Sequence, residues 1–185
     1  MWNDFLVGLQ FLTRFNLQQQ TDWSLESFGR SVKFFPIIGF IIGMIIFAIV
    51  WSSKSIIPIH VLAAIIVICE IVITGALHCD GFMDTMDGVF SGQPREKMLQ
   101  IMKDSRVGAF GVVAFSCYLL LKVSIYLDLG NEDLLQVVFI APVMGRFAMV
   151  YGIVRFPYAR EDGMGKAFHQ YSGIQSLFIV LFCSL

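Results

Sequence analysis

The chain has 185 residues, of which 57% are apolar and only 15% charged, with a formal net charge of −1. That charged fraction lies well below the roughly 25% usual for soluble domains, which argues against a soluble globular protein. The near-neutral balance offers no bulk attraction to nucleic acid. The four cysteines (Cys69, Cys79, Cys117 and Cys183) are scattered, so they form neither a disulfide framework nor a zinc site.

Residues 2–15 place Trp2, Phe5, Leu6, Leu9 and Leu12 at helical spacing. This predicts an N-terminal amphipathic helix, lying in the membrane interface or packed on the rest of the protein. Asn3, Asp4 and Gln10 interrupt the stretch and no small-residue cleavage site follows, so a signal peptide is not expected. Residues 18–27 are polar and read as a loop, with residues 22–26 suited to cap a short helix.

Five apolar runs follow, at 34–51, 56–77, 108–127, 134–154 and from Gly173 to Leu185. A span needs about 20 apolar residues, which the first four runs meet within error and the last does not. Lys and Arg in the connecting segments alternate. Arg14, Arg30 and Lys33 precede the first run, and only Lys54 follows it. Arg95, Lys97, Lys103 and Arg106 follow the second run, none follow the third, and Arg155, Arg160 and Lys166 follow the fourth. The positive-inside rule predicts this pattern for four spans with a cytoplasmic N-terminus. Segments 78–107 and 155–172 then share the cytoplasmic side. The expected fold is an all-α polytopic transmembrane bundle, with residues 1–185 as a single integral membrane domain.

Three charges lie within these runs, and intramembrane charges usually face a cavity or a partner. Arg146 stands about two turns from the cytoplasmic end of its run, within reach of a cytoplasmic site. Lys122 reads as snorkelling to the outer interface. Glu70 is either a partner for Arg146 or a member of the site. His60 and His169 are lone histidines and read as structural.

The second run leads into His78-Cys79-Asp80-Gly81-Phe82-Met83-Asp84-Thr85-Met86-Asp87-Gly88. Asp80, Asp84 and Asp87 stand at i, i+4 and i+7, on one stripe of a helix. Three carboxylates so close repel one another, and protonation or a bound cation must offset that repulsion. Hard oxygen donors without paired Cys or His favour Mg²⁺ or Mn²⁺. The competing reading is a solvated acidic helix end, which fits poorly with a chain so short of acids.

A turn at Ser91-Gly92-Gln93 then leads into a helix starting near Pro94 and reaching Met102. After it comes Lys103-Asp104-Ser105-Arg106-Val107-Gly108-Ala109-Phe110-Gly111. Lys103 and Arg106 suit phosphate oxygens, the arginine bidentately. Ser105 adds a hydroxyl, Asp104 is a candidate fourth metal ligand or base, and Gly108 and Gly111 permit close backbone approach. Alone, this cluster would read as a positive-inside flank. Following an acidic stripe on the same membrane face, it points instead to metal-assisted phosphoryl or nucleotidyl-diphosphate chemistry. In that chemistry, cations neutralise developing charge and a carboxylate takes the proton of an attacking hydroxyl. The segment Arg155 to Lys166, with Arg160, is a second Gly-rich basic loop. It reads as a phosphate clamp or as an ordinary cytoplasmic flank.

These motifs resemble the cobalamin synthase family of adenosylcobinamide-GDP ribazoletransferases. The likeness rests on His78-Cys79-Asp80-Gly81, Asp84-Thr85, Asp87-Gly88, and the run from Ile101 through Arg106-Val107-Gly108 to Phe110-Gly111. It extends from Phe11-Leu12-Thr13-Arg14, through Phe35-Pro36-Ile37-Ile38-Gly39, to Tyr158-Ala159-Arg160 and Gly163-Met164-Gly165, nearly the whole chain. The resemblance implies an Mg²⁺-dependent multi-pass enzyme of the bacterial cytoplasmic (inner) membrane, with its site on the cytoplasmic face. Its substrates would be adenosylcobinamide-GDP and α-ribazole or α-ribazole 5′-phosphate. Its products would be GMP and adenosylcobalamin or its 5′-phosphate, at a late step of cobalamin biosynthesis.

Carried over residue by residue, the resemblance makes Asp80, Asp84 and Asp87 the acidic motif and Lys103 to Arg106 the second signature. Asp84, Asp87 and Asp104 are then the candidate catalytic acids. Lys103, Ser105, Arg106, Arg146 and Arg160 are the candidate substrate contacts. The lipid bilayer is the other partner, nucleic acid is not one, and homo-oligomerisation is left open. Members of the family usually continue into further spans and a late Gly-Gly-x-x-Gly-Asp stretch, so a C-terminal truncation is the expectation here.

Three other kinds of protein share some of these features. A CDP-alcohol phosphotransferase would show an Asp-Gly-x-x-Ala-Arg run, and a prenyltransferase a second acidic motif. An ion-coupled transporter would use Glu70, Arg146 and the stripe as a coupling path.

Overall fold

The computed structural model describes residues 1–17, 23–160 and 162–172. In chain order the elements are α1 (Trp2–Leu12), α2 (Leu25–Ser31), a 3₁₀ turn (Val32–Phe34), α3 (Phe35–Ser53), α4 (Ile59–Thr74), α5 (Leu77–Phe90), α6 (Arg95–Ile101), α7 (Ala109–Asp128), α8 (Asn131–Arg155) and α9 (Met164–Tyr171). No strand occurs among the described residues, as the composition leads one to expect. Asp22 and the apolar run from Gly173 lie outside the described residues.

Among the described residues, three helices are long and apolar enough to cross a membrane: Leu25–Ser53, which runs unbroken through the 3₁₀ turn, Ala109–Asp128 and Asn131–Arg155. The second apolar run behaves differently from the straight span expected. It forms α4 of 16 residues, then breaks and turns by 93° into α5. With α5 as its second half, this bent pair is the fourth candidate span. The break sits at Gly75 and Ala76, both with φ of 61°. Glycine adopts that left-handed region freely, whereas alanine does so at a cost.

The chain divides into two compact units. One comprises Met1–Trp51 and Leu135–Leu185. In it, α1 buries Leu6, Val7, Leu9 and Leu12 and packs on α2, while Trp2 of the same apolar face stays exposed. Ser24 caps α2, its Oγ accepting the Ser27 N–H at 3.2 Å. Asp4, in the first turn of α1, is buried and meets Arg30 Nε at 3.3 Å, with the N-terminal amine and Lys33 at 3.6 and 3.9 Å. The rings of Phe11, Phe28, Phe35 and Phe168 gather α1, α2, α3 and α9, with contacting centroids 5.2 to 6.5 Å apart. Gly39 lets α3 approach the α8 backbone, since a Cβ there would stand 2.6 Å from the Pro142 carbonyl oxygen. His169 Nδ1 donates to the Ile153 carbonyl near the end of α8 at 2.9 Å, a structural role as expected.

The other unit is Ser52–Leu134. Its framework is α7, against which both α4 and α5 pack, with α6 on α5. Lys54 and Glu132 pair at 3.1 Å between its two ends.

Candidate active site

Helix α5 carries the acidic motif. It runs antiparallel along α7: Phe90 lies against Phe110 (6.0 Å between centroids), Asp87 against Gly108 and Gly111, and Phe82 against Tyr118 (5.7 Å). The stripe therefore does not trail off into a loop beyond the membrane helices. Asp84 and Asp80 lie progressively further along α7, between its first turn and its middle.

The three aspartates share a face but not an environment. Asp80 is exposed, Asp84 half-buried, and Asp87 only 8% exposed. One oxygen of Asp87 accepts the Gly108 N–H at 2.7 Å and the other accepts the Gly111 N–H at 2.8 Å. Gly108 is the N-cap of α7, whose own first N–H groups lack intrahelical partners. Asp87 thus caps α7 from a different helix, where a negative charge also suits the helix dipole. The glycines are explained by the same contact. A Cβ on Gly111 would stand 2.6 Å from Asp87 Oδ2 and 2.8 Å from the Met83 carbonyl.

This cap ties the first signature to the second. The segment between Met102 and Gly108 is held at both ends against the Asp87–Gly88 end of α5, so Lys103 to Arg106 lie between two points fixed to the last turn of the acidic helix. Lys103, Ser105 and Arg106 are exposed and Asp104 is half-buried. Asp104 and Arg106 pair with each other: Nη2 donates to Oδ2 at 2.7 Å, Nε lies 3.1 and 3.2 Å from the two oxygens, and the Arg106 N–H reaches Oδ1 at 3.0 Å. Those hydrogen bonds from Arg106 lower the Asp104 carboxyl from 3.8 to about 2. Asp104 raises the Arg106 guanidinium in turn. Helix α6 starts after Pro94, its N-cap, as the turn chemistry predicts.

Arg146 and Arg160 belong to the other unit. Arg146 is buried on α8, and Arg160 is half-buried in the loop before α9. In that loop the Tyr158 hydroxyl donates to the Asp162 carbonyl at 3.4 Å. Glu70 finds partners within its own unit. Its carboxylate is taken by Lys122, whose side chain turns inward to it and does not snorkel, and by Tyr126 at 3.0 Å. Neither pairing is legible in the sequence, where the residues stand 52 and 56 positions apart.

Among the described residues, no three His, Cys, Asp or Glu side chains converge as a ready-made metal site. Asp80 and Asp84, one turn apart on α5, still fit Mg²⁺, which commonly takes one or two carboxylates and completes its shell with water and substrate phosphate. Asp87, with both oxygens engaged by backbone N–H groups, is placed to hold the loop.

Fold and site together define a polytopic helical membrane protein in which an acidic helix is coupled to a basic loop. Residues 4–185 match the family described as cobalamin-5-phosphate synthase, and the chain belongs to that family. It is 42% identical over 173 residues to the adenosylcobinamide-GDP ribazoletransferase of Roseiflexus sp. (strain RS-1), covering 92% of this chain and 64% of the relative. The proteins of the same name from Desulfitobacterium hafniense and Fusobacterium nucleatum are each 38% identical. They cover 90% and 89% of this chain, and 66% and 62% of their own lengths. The chain thus spans less than two thirds of these relatives. No solved structure matches.

Proposed function

We propose that this chain carries the catalytic motifs of a transferase that joins α-ribazole, or its 5′-phosphate, to adenosylcobinamide-GDP with release of GMP. The site would face the cytoplasm at the bacterial inner membrane. The observation that supports it best is the Asp87 cap, which holds the basic loop to the end of the helix that carries two further carboxylates. Family membership supplies the substrates.

In this reading a ribazole hydroxyl oxygen attacks the phosphorus on the cobinamide side of the diphosphate. The new P–O bond forms, the bond to the GMP oxygen breaks, and GMP leaves as an anion. Asp80 and Asp84 would hold Mg²⁺, which supplies charge neutralisation on the diphosphate. Arg106 and Lys103 bind its non-bridging oxygens, and Ser105 donates from the same loop. The hydroxyl proton passes to a carboxylate. We assign this role to Asp84, whose second carboxylate oxygen would remain to accept the proton if one oxygen held the metal.

The test is GMP release from adenosylcobinamide-GDP by purified protein, using this chain alone and joined to the C-terminal third of a relative. Release that requires both Mg²⁺ and α-ribazole supports the reading. Release without α-ribazole would mark a hydrolase, and no release from either form would reject the assignment.

A further inference from the structure

The triad of Glu70, Lys122 and Tyr126 lies outside the proposed site, inside the apolar part of the chain. The side chains of Glu70 and Lys122 are 17% and 21% exposed. Lys122 also donates to the Tyr118 hydroxyl at 3.1 Å, and its ammonium stands 5.5 and 5.8 Å from the Tyr118 and Tyr126 ring centroids. Charges at membrane depth are costly, and a buried ion pair seldom stabilises more than apolar residues of similar size would. What a pair with directional hydrogen bonds supplies is register, because it holds two helices against sliding and rotation where apolar contact does not.

The register in question is that of the acidic helix. One turn beyond Glu70, Thr74 donates back to the Glu70 carbonyl at 2.8 Å, and the chain then reverses at Gly75 and Ala76 into α5. Helix α7 meets this bent segment at two polar points, Glu70 on α4 and Asp87 on α5. Asp80 and Asp84 lie between them. Tyr118 links the two stretches directly, since its hydroxyl accepts from Lys122 while its ring packs on Phe82, midway between Asp80 and Asp84.

We propose that Glu70 is a positioning residue for the metal carboxylates. Through Lys122 and Tyr118 it sets where α5 lies along α7, and so how Asp80 and Asp84 face a shared divalent cation. This rests on the reading of those two aspartates as metal ligands.

The experiment follows Mn²⁺ binding to the purified full chain by electron paramagnetic resonance. It compares wild type, the apolar double variant Glu70→Met/Lys122→Met, the exchanged pair Glu70→Lys/Lys122→Glu, and Tyr118→Phe, which keeps the ring and deletes only the hydroxyl. Support-shell changes typically weaken metal binding by about 10- to 100-fold. The double variant is expected to keep the wild-type thermal transition and bind Mn²⁺ at least ~10-fold more weakly. Tyr118→Phe should weaken binding in the same direction, and the exchanged pair should recover most of the affinity. Wild-type Mn²⁺ affinity in both the double variant and Tyr118→Phe overturns the positioning role. Should wild type itself bind no Mn²⁺, the reading of Asp80 and Asp84 as ligands fails, and the positioning role falls with it.

Discussion

The Asp87 carboxylate accepts the Gly111 N–H at 2.8 Å across 24 positions of sequence, making one helix the cap of another. Because the receiving position has no room for a side chain, Gly111→Ala must push the carboxylate away. We expect it to cost about 1–3 kcal/mol, the range for a buried polar group left unsatisfied. Asp87→Asn should cost about as much, since an amide nitrogen then faces a backbone N–H. Thermal unfolding of the detergent-solubilised protein measures both, and a transition unchanged in both variants would refute the cap.

Arg106 and Asp104 already form a bidentate pair in the exposed loop. A diphosphate must compete for that fork, so Arg106→Lys keeps the charge but loses the planar donor pair. We expect KM for the diphosphate substrate to rise about tenfold. An unchanged KM would return Arg106 to a simple positive flank.

The same pair predicts a pH behaviour. The folded value of Asp104 lies below its ordinary 3.8, so the interaction is complete above that value and is lost as pH falls through about 2. Between about pH 5 and 9, where a working general base titrates, Asp104 is ionised throughout. Asp104→Asn should therefore lower kcat/KM without moving the inflexions of the pH–rate profile. A displaced inflexion would make Asp104 the base.

Asp84→Asn should abolish GMP release while leaving membrane insertion intact, because the carboxylate lies on the half-buried face of an otherwise unchanged helix. Removal of divalent metal by a chelator should have the same effect on wild type and be reversed by added Mg²⁺. Fractionation with the membrane, together with the single-turnover rate, separates loss of chemistry from loss of fold.

Ala76 holds a φ of 61° at the 93° break before the acidic helix. A left-handed L-residue costs roughly 1–2 kcal/mol, of which glycine recovers part against its own entropy of about 0.5–1 kcal/mol. Ala76→Gly should thus be neutral or raise stability by up to ~1 kcal/mol, whereas Ala76→Val should lower it. A thermal transition lowered by the glycine would show that the break needs the methyl group.

Periodicity and hydropathy are properties of neighbours along the chain. They were enough for the all-helical membrane class, the apolar runs, the shared face of Asp80, Asp84 and Asp87, the α6 start after Pro94, and the second cluster at Lys103 to Arg106. They were not enough for the break at Gly75 and Ala76. Alanine is the strongest helix former and no proline marks the site; the turn is closed by the Gly75 and Ala76 N–H groups, which donate to the Val72 and Ile71 carbonyls, and α4 and α5 both pack on α7. Nor do they assign partners. Three like carboxylates in one stripe are equivalent by spacing, yet one caps a helix because α7 begins beside it. Glu70 and Lys122 stand 52 positions apart, and nothing in their spacing pairs them until two helices bring them together. The residue types and their local order came from the sequence alone. Which carboxylate meets a backbone, a lysine or an arginine was decided by the tertiary structure, because charge pairing and capping depend on distances of a few ångströms between groups tens of residues apart.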